Sequence, residues 1–365
     1  MEIFSTHIHI FFSTGRRLRQ MLRVFCPFLT FLSVACLPAL LFSFCGKTEG
    51  LPREREDEEI ARDGKGGGSA VESKLMITQS GESFSAEKYD VLVYEDDAYA
   101  RLDSYQSFTP GAGKLKVSSG SGRKVAVVLG NIGDGLPQWE KVLSLKALSA
   151  QCSCLENEGE DSPVLRGMAH FVAGENLNIT LRPLLSRVRL LSLCCDFRGT
   201  AYAFESLENV KVYLTNVNAE CPLVEGTEGG VRIVNGGALN RSDLLRFQSP
   251  GIVYRELQGS IGMDPVETGV SLYCYPNPAT EEGFGSPFTR LVIEGTIQGK
   301  TWYWPININT IGEGGGIRAG ESYDLSVMLR RSGTSDPDTP IGLSEAELKT
   351  EIVQWNEKEN YRIIY

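Results

Sequence analysis

From Lys74 onward the chain is a succession of short apolar runs, most of them alternating apolar and polar residues, divided by clusters of Gly, Ser, Asn, Asp and Pro. A period of two puts every second side chain on one face of a strand, so this pattern constrains the chain to sheets half-buried against one another. KLMIT (74–78), YDVLVYED (89–96), KLKVS (114–118), KVAVVLGNI (124–132) and HFVAGENLNITLRP (170–183) are the strands expected in the first half. SRVRLLSLCCDF (186–197), VKVYLTNVNA (210–219), VSLYCYP (270–276), RLVIEGTI (290–297), KTWYWPINI (300–308), SYDLSVMLRR (322–331) and EIVQW (351–355) follow in the second. Gln298-Gly299 is a two-residue hairpin turn in which Gly takes positive φ.

One stretch breaks the pattern. Trp139, Val142, Leu143, Leu145, Leu148 and Cys152 fit one face of a helix over 139–155, with Pro137 near its start. Pro183 interrupts a ladder that a central strand could not spare, and it marks the expected boundary between two domains, 71–183 and 184–365. The fold class expected is mainly β: antiparallel β-sandwiches with few short helices.

Ahead of the strands, Val24 to Phe44 carries no charge, follows Arg16, Arg17, Arg19 and Arg23, and stops at Cys45-Gly46-Lys47-Thr48-Glu49. A basic segment, an apolar segment and an abrupt polar exit outline a secretory signal over 1–44. A retained transmembrane helix needs about 20 apolar residues, a length this tract also reaches. The boundary Ser43-Phe44-Cys45 favours a bacterial lipoprotein signal with lipidation at Cys45, although Phe44 departs from the small residue usual before that cysteine. Cys36 is the alternative, but cleavage there leaves LPALLFSF at the new N-terminus. Met21 is an alternative start. Residues 45–70 mix charges and glycines with almost no large apolar residue, the composition of a flexible tether after the lipidated Cys45.

The 365 residues, less this leader, suffice for two ordinary domains, and 42% hydrophobic with 22% charged residues is a globular composition. Residues 1–44 hold four Arg and one Glu, so their removal takes the formal net charge from −10 to −13. That charge repels phosphate backbones and argues against nucleic acid as a partner.

The catalytic inventory is thin. Of the three histidines only His170 follows the leader, which leaves no material for Ser-His-Asp, Cys-His or multi-His metal sites. We therefore expect no enzyme, no cofactor and no metal. Glu95-Asp96-Asp97 and Asp336-Pro337-Asp338 are read as turn and strand-end carboxylates, because neither has the spacing of a calcium loop. Cys152, Cys154, Cys194, Cys195, Cys221 and Cys274 form no zinc-type pair and are read mostly as small core fillers. Trp302 and Trp304 share one strand face; exposed they would be an aromatic surface for sugar rings, buried they are core, and core is the expected use.

Seven runs, in order, carry a resemblance: YDVLVYEDDAYARLDSYQSF (89–108), PVLRGMAHFVAG (163–174), LRPLLSRVRLLSL (181–193), VKVYLTNVNAECPL (210–223), VSLYCYPNP (270–278), SPFTRLVIEGTIQGKTWYWPINI (286–308) and YDLSVMLRRSGTSDPDTP (323–340). Together with the lipoprotein-like leader they resemble the fimbrillin family, the lipoprotein-derived subunits of Bacteroidales fimbriae. The resemblance implies two transthyretin-like β-sandwich domains, a location at the outer membrane and surface, and other fimbrial subunits as partners joined by strand donation. It also implies that an Arg-specific protease removes the first strand of stalk subunits and so opens a groove.

Arg53, Arg55 and Arg62 all precede the first expected strand, and no Arg lies between KLMIT and YDVLVYED. Arg62 is thus the expected protease-sensitive position, and a cut there would release the lipid without opening a groove. The function expected is a lipid-anchored structural subunit of a cell-surface fimbrium, in an anchor or accessory position, supporting adhesion to host or bacterial surface ligands. The alternative is a surface glycan-binding lipoprotein using Trp302 and Trp304. YRIIY (361–365) is expected either to complete its own sheet or to be donated.

Overall fold

A computed structural model describes residues 70–354, apart from 80–83, 85, 111–114, 134–137, 227–231, 284, 313 and 342–345. The signal tract, Cys45, the tether with Arg62, and YRIIY lie outside the described residues.

The strands of the first half are β1 (Val71–Gln79), β2 (Tyr89–Glu95), β3 (Leu102–Phe108), β4 (Leu115–Ser119), β5 (Arg123–Gly130), β6 (Cys152–Cys154), β7 (Leu165–Val172) and β8 (Leu177–Pro183). All but β6 form one seven-stranded sheet in the order β3-β2-β5-β7-β8-β1-β4. Its ladders are antiparallel except β1 on β8, which is parallel. The continuous apolar runs of β2 and β5 are buried almost throughout, as strands covered on both faces must be. β1 keeps the alternation of a half-buried strand, with Ser73 and Leu75 inside and Lys74 and Met76 outside.

The sheet folds over between β7 and β8. Only Leu165↔Pro183 and Arg166↔Arg182 pair there, after which β8 leaves β7 and runs beside β1. Gly167 permits the crossing: a Cβ at this position would stand 2.5 Å from Ile179 Cγ2 and 2.8 Å from the Thr180 carbonyl oxygen. The fold brings the two free edges together. Gln106 on β3 donates from Nε2 to the Ser118 carbonyl on β4 (2.8 Å) and accepts from the Ser118 N–H at Oε1 (3.0 Å). Ser104 Oγ donates to the same carbonyl at 2.7 Å, and Asp103 accepts from the Gly120 N–H at 2.7 Å. Side chains thus stand in for the missing ladder and blunt both edges.

The second half comprises β9 (Ser186–Cys195), β10 (Glu208–Thr215), β11 (Val217–Asn218), β12 (Glu220–Pro222), β13 (Ile233–Val234), β14 (Tyr254–Glu256), β15 (Val266–Cys274), β16 (Arg290–Ile297), β17 (Lys300–Asn307), β18 (Glu321–Leu329) and β19 (Ala346–Gln354). Two four-stranded sheets carry the core, β14-β10-β16-β17 and β15-β9-β18-β19. Again one ladder is parallel, β9 on β18. Pro305 is tolerated because β17 is an edge strand. Gln298 (φ 50°) and Gly299 (φ 75°) both take positive φ in the expected β16–β17 turn.

The strand ladders divide near Pro183. One small sheet crosses the division, β6 with β12, in register Cys154↔Glu220 to Cys152↔Pro222.

The helix expected over 139–155 is corrected. A single 3-10 turn at Trp139–Lys141 is followed by a five-residue helix, α1 (Leu145–Ser149), with Ser144 Oγ capping the Ala147 N–H. The chain then extends into β6. Of the expected face Trp139, Val142 and Leu148 are buried and Leu145 and Cys152 half-buried, but Leu143 is 66% exposed, because the path is irregular. The ladder to β12 is more than sixty residues away in sequence, and a non-local pairing of this kind overrides local periodicity. The other described helix is a single turn, α2 (Arg241–Leu244). No described helix is long and apolar enough to cross a membrane. β3 was not among the expected strands; its sequence LDSYQSF is mostly polar and half-buried.

Candidate strand-exchange edges

Two strands bear on the expected exchange: β1, which is interior to its sheet, and β19, which lies at an edge. β1 lies between two neighbours, pairing with β4 from Val71↔Ser119 to Leu75↔Leu115 and with β8 from Leu75↔Leu177 to Gln79↔Leu181. Leu75 is its buried anchor. Ser73 Oγ accepts from the Gly174 N–H at 2.9 Å, and Gln79 Nε2 donates to the Phe84 carbonyl and the Tyr89 hydroxyl. Loss of β1 would bare the facing backbone groups of β4 and β8 together with the apolar slot of Leu75, a site shaped for another strand.

β19 is the last described strand and lies at a sheet edge. It pairs with β18 over nine consecutive positions, from Leu329↔Ala346 to Glu321↔Gln354. Its side chains bury little: Lys349 and Thr350 are exposed, Leu348 is half-buried and Ile352 is 36% exposed. Backbone pairing carries most of its attachment.

The tryptophans do not form an exposed pair. Trp304 is fully buried and donates from Nε1 to the Arg331 carbonyl at 3.0 Å. Trp302 is half-buried, with Lys300 Nζ 3.8 Å above its ring and Tyr202 edge-on at 6.3 Å. One face of the more accessible indole of this pair is therefore already occupied by an ammonium group.

The carboxylate clusters resolve into structural bonds. Glu95 binds Lys124, Asp96 binds Arg123 and lies 3.5 Å from His170, and Asp97 caps the turn by accepting from the Tyr99 and Ala100 N–H groups. The Arg123 guanidinium holds the Asp96 carboxyl below its ordinary range. Asp336 accepts from Asp338 N–H and Thr339 Oγ1, while Asp338 binds Arg290 at 2.6 Å. His170 sits on β7 with an exposed side chain. Among the described residues no group of three or more His, Cys, Asp or Glu side chains could hold a metal. Cys194, Cys195, Cys221 and Cys274 are buried, and Cys152 and Cys154 are half-buried. Burial pushes the thiols of Cys195, Cys221 and Cys274 up to about 12, which makes them poor nucleophiles. A recess of about 430 Å³ is lined by Asn218, Asn277, Thr280, Glu281 and Ser286 among others.

Sequence reasoning did not find Glu158. This carboxyl is enclosed where the β6–β12 sheet meets the second half, accepting from Tyr275 Oη (2.7 Å), Ser153 Oγ (3.2 Å) and the Val164 N–H (2.9 Å). Burial raises its pKa. Nothing in the local run LENEGED distinguishes it from Glu156, which is buried but paired with Arg232, or from half-buried Glu160.

No protein-family model matches the chain, and no curated protein matches it in sequence. Solved structures do match. A candidate cell adhesion protein from Bacteroides eggerthii DSM 20697 superposes with a TM-score of 0.60 at 15% identity, over 79% of this chain and 97% of that one. A candidate cell adhesion protein from Parabacteroides distasonis ATCC 8503 gives 0.56 at 13% identity, over 80% and 98%. A fimbrilin (FimA) from Porphyromonas gingivalis W83 gives 0.54 at 13% identity, over 80% and 98%. At these identities the likeness establishes a shared fold.

Proposed function

We propose that the chain is a structural subunit of a cell-surface fimbrium, anchored in the outer membrane by a lipid on Cys45 and placed at the anchor or accessory position. It would join other fimbrial subunits by strand exchange and support adhesion. The two sandwich domains of this reading are 71–183 and 184–365. The observation that carries it is the seating of β1 between β4 and β8 in a fold shared with a fimbrilin. No Arg lies between Arg62 and Arg101, so Arg-specific cleavage in the tether leaves this strand in place and the slot filled. The enclosed Trp304 counts against the glycan-binding alternative.

The test is intact mass spectrometry of protein extracted from membranes of the source cell, with N-terminal peptide mapping. A diacyl- or triacylglyceryl group on Cys45 with Lys74 to Thr78 still attached supports the retained anchor. A lipid-free chain beginning beyond Thr78 removes β1 and moves the subunit to the shaft.

A further inference from the structure

β19 offers a different kind of contact. Its ladder to β18 runs nine positions without a bulge, whereas the opposite edge of the same sheet, β15, is broken between Glu267 and Val270, and the edges of β3 and β4 are tied through Gln106. Among the described residues no strand pairs with the outward backbone of β19, which makes a long, regular edge, the kind that recruits another strand. Its sequence is self-complementary. Laid antiparallel against itself about Thr350, Lys349 falls opposite Glu351 and Leu348 opposite Ile352, on both sides of the axis. A slip of two residues in either direction instead sets Lys349 against Lys349 or Glu351 against Glu351.

Both faces of the strand have an unmet requirement that this register supplies. On the polar face Glu351 lies opposite Asp324 of β18, which already has Arg189 at 2.7 Å. Glu351 Oε1 is enclosed without a hydrogen-bond partner, and neither Lys349 nor Glu351 has an ion pair among the described residues. On the core face Leu348 and Ile352 extend the apolar layer of Tyr323, Leu325 and Val327 to an open rim, with Ile352 36% exposed.

We propose that β19 pairs with β19 of a second copy of this chain across a two-fold axis at Thr350, joining two four-stranded sheets into one of eight. The occupant is a second copy because the charge order of the strand complements itself. Each Glu351 then receives Lys349 of the other copy, and the apolar layer runs on through Leu348 and Ile352. The contact is isologous and closes at a dimer, unlike strand donation, which continues into a polymer. It is independent of lipidation and of β1.

The test is sedimentation velocity of the purified full chain in density-matched detergent over a range of concentrations. A monomer–dimer equilibrium is expected. Lys349→Glu and Glu351→Lys should each weaken it about tenfold, since each puts like charges opposite one another on both sides of the axis. The double exchange K349E/E351K should restore it. Thr350→Cys should give a disulfide-linked dimer under mild oxidation, because opposed residues in an antiparallel pair have Cα atoms within bridging distance, while the parent chain does not. A chain that stays monomeric without a T350C cross-link overturns the proposal. So does a dimer indifferent to the two single charge variants, or an open-ended polymer, which would give the edge to residues 355–365 or to a strand from another subunit.

Discussion

The side-chain amide of Gln106 binds both backbone groups of Ser118, its Oε1 taking the N–H at 3.0 Å and its Nε2 giving to the carbonyl at 2.8 Å. One residue of β3 thus does for β4 what a neighbouring strand would do, and it joins the two ends of a seven-stranded sheet.

Gln106→Ala removes both bonds, leaving the Ser118 N–H without its partner and the Ser118 carbonyl with Ser104 Oγ alone. The expected loss is about 1–3 kcal/mol, read from the urea midpoint, with increased self-association as the edges open. Gln106→Glu keeps the acceptor but turns a carboxylate oxygen toward the Ser118 carbonyl, so it should lose nearly as much.

Glu158 makes stability depend on pH. Burial raises its folded-state pKa above the unfolded value, while the hydrogen bonds from Val164 N–H, Tyr275 and Ser153 offset part of that rise. The folded protein therefore holds a proton that the unfolded chain releases. The resulting stabilisation is complete below the ordinary carboxyl range and is lost as pH rises through the folded-state value. Glu158→Gln, which keeps the shape of the protonated acid and can give its amide protons to the two hydroxyls, should flatten urea midpoints plotted against pH over that interval. An unchanged slope would show that another group carries it.

The two tryptophans should answer differently to Phe. Trp304→Phe removes the donor to the Arg331 carbonyl and leaves a gap in a filled site, with an expected cost of about 1–3 kcal/mol. Trp302 Nε1 is buried without a partner, so Trp302→Phe deletes an unsatisfied donor and should be nearly neutral in thermal unfolding.

Local pattern made much of the fold legible. Alternation located β1, β2, β4 and β5 and most of the long strands of the second half, because a half-buried strand must write its burial into every second residue. Positive φ at Gly299 followed from the turn pair, whereas positive φ at Gln298 was not expected from it. What failed was decided at a distance. LDSYQSF carries no strand pattern because Gln106 and Ser104 serve β4 through their side chains and so must be polar. Residues 139–155 have helical spacing, yet Cys152–Cys154 is drawn off into a ladder with β12.

The candidate exchange strands divide in the same way. That 74–78 is a strand preceded by arginines and free of them is a property of the sequence alone, since propensity and protease specificity are both local. That the strand is central, parallel to β8 and antiparallel to β4, required the fold, because pairing partners are chosen by non-local packing. The composition and residue order likewise determined a β-sheet protein with little catalytic material. Core was the expected use of both tryptophans, and only tertiary structure decided that Trp304 is buried while Trp302 is half-buried, that Glu158 is enclosed, and that β19 lies at a sheet edge. Burial and edge position are relations between segments far apart in the chain, and no local stretch encodes them.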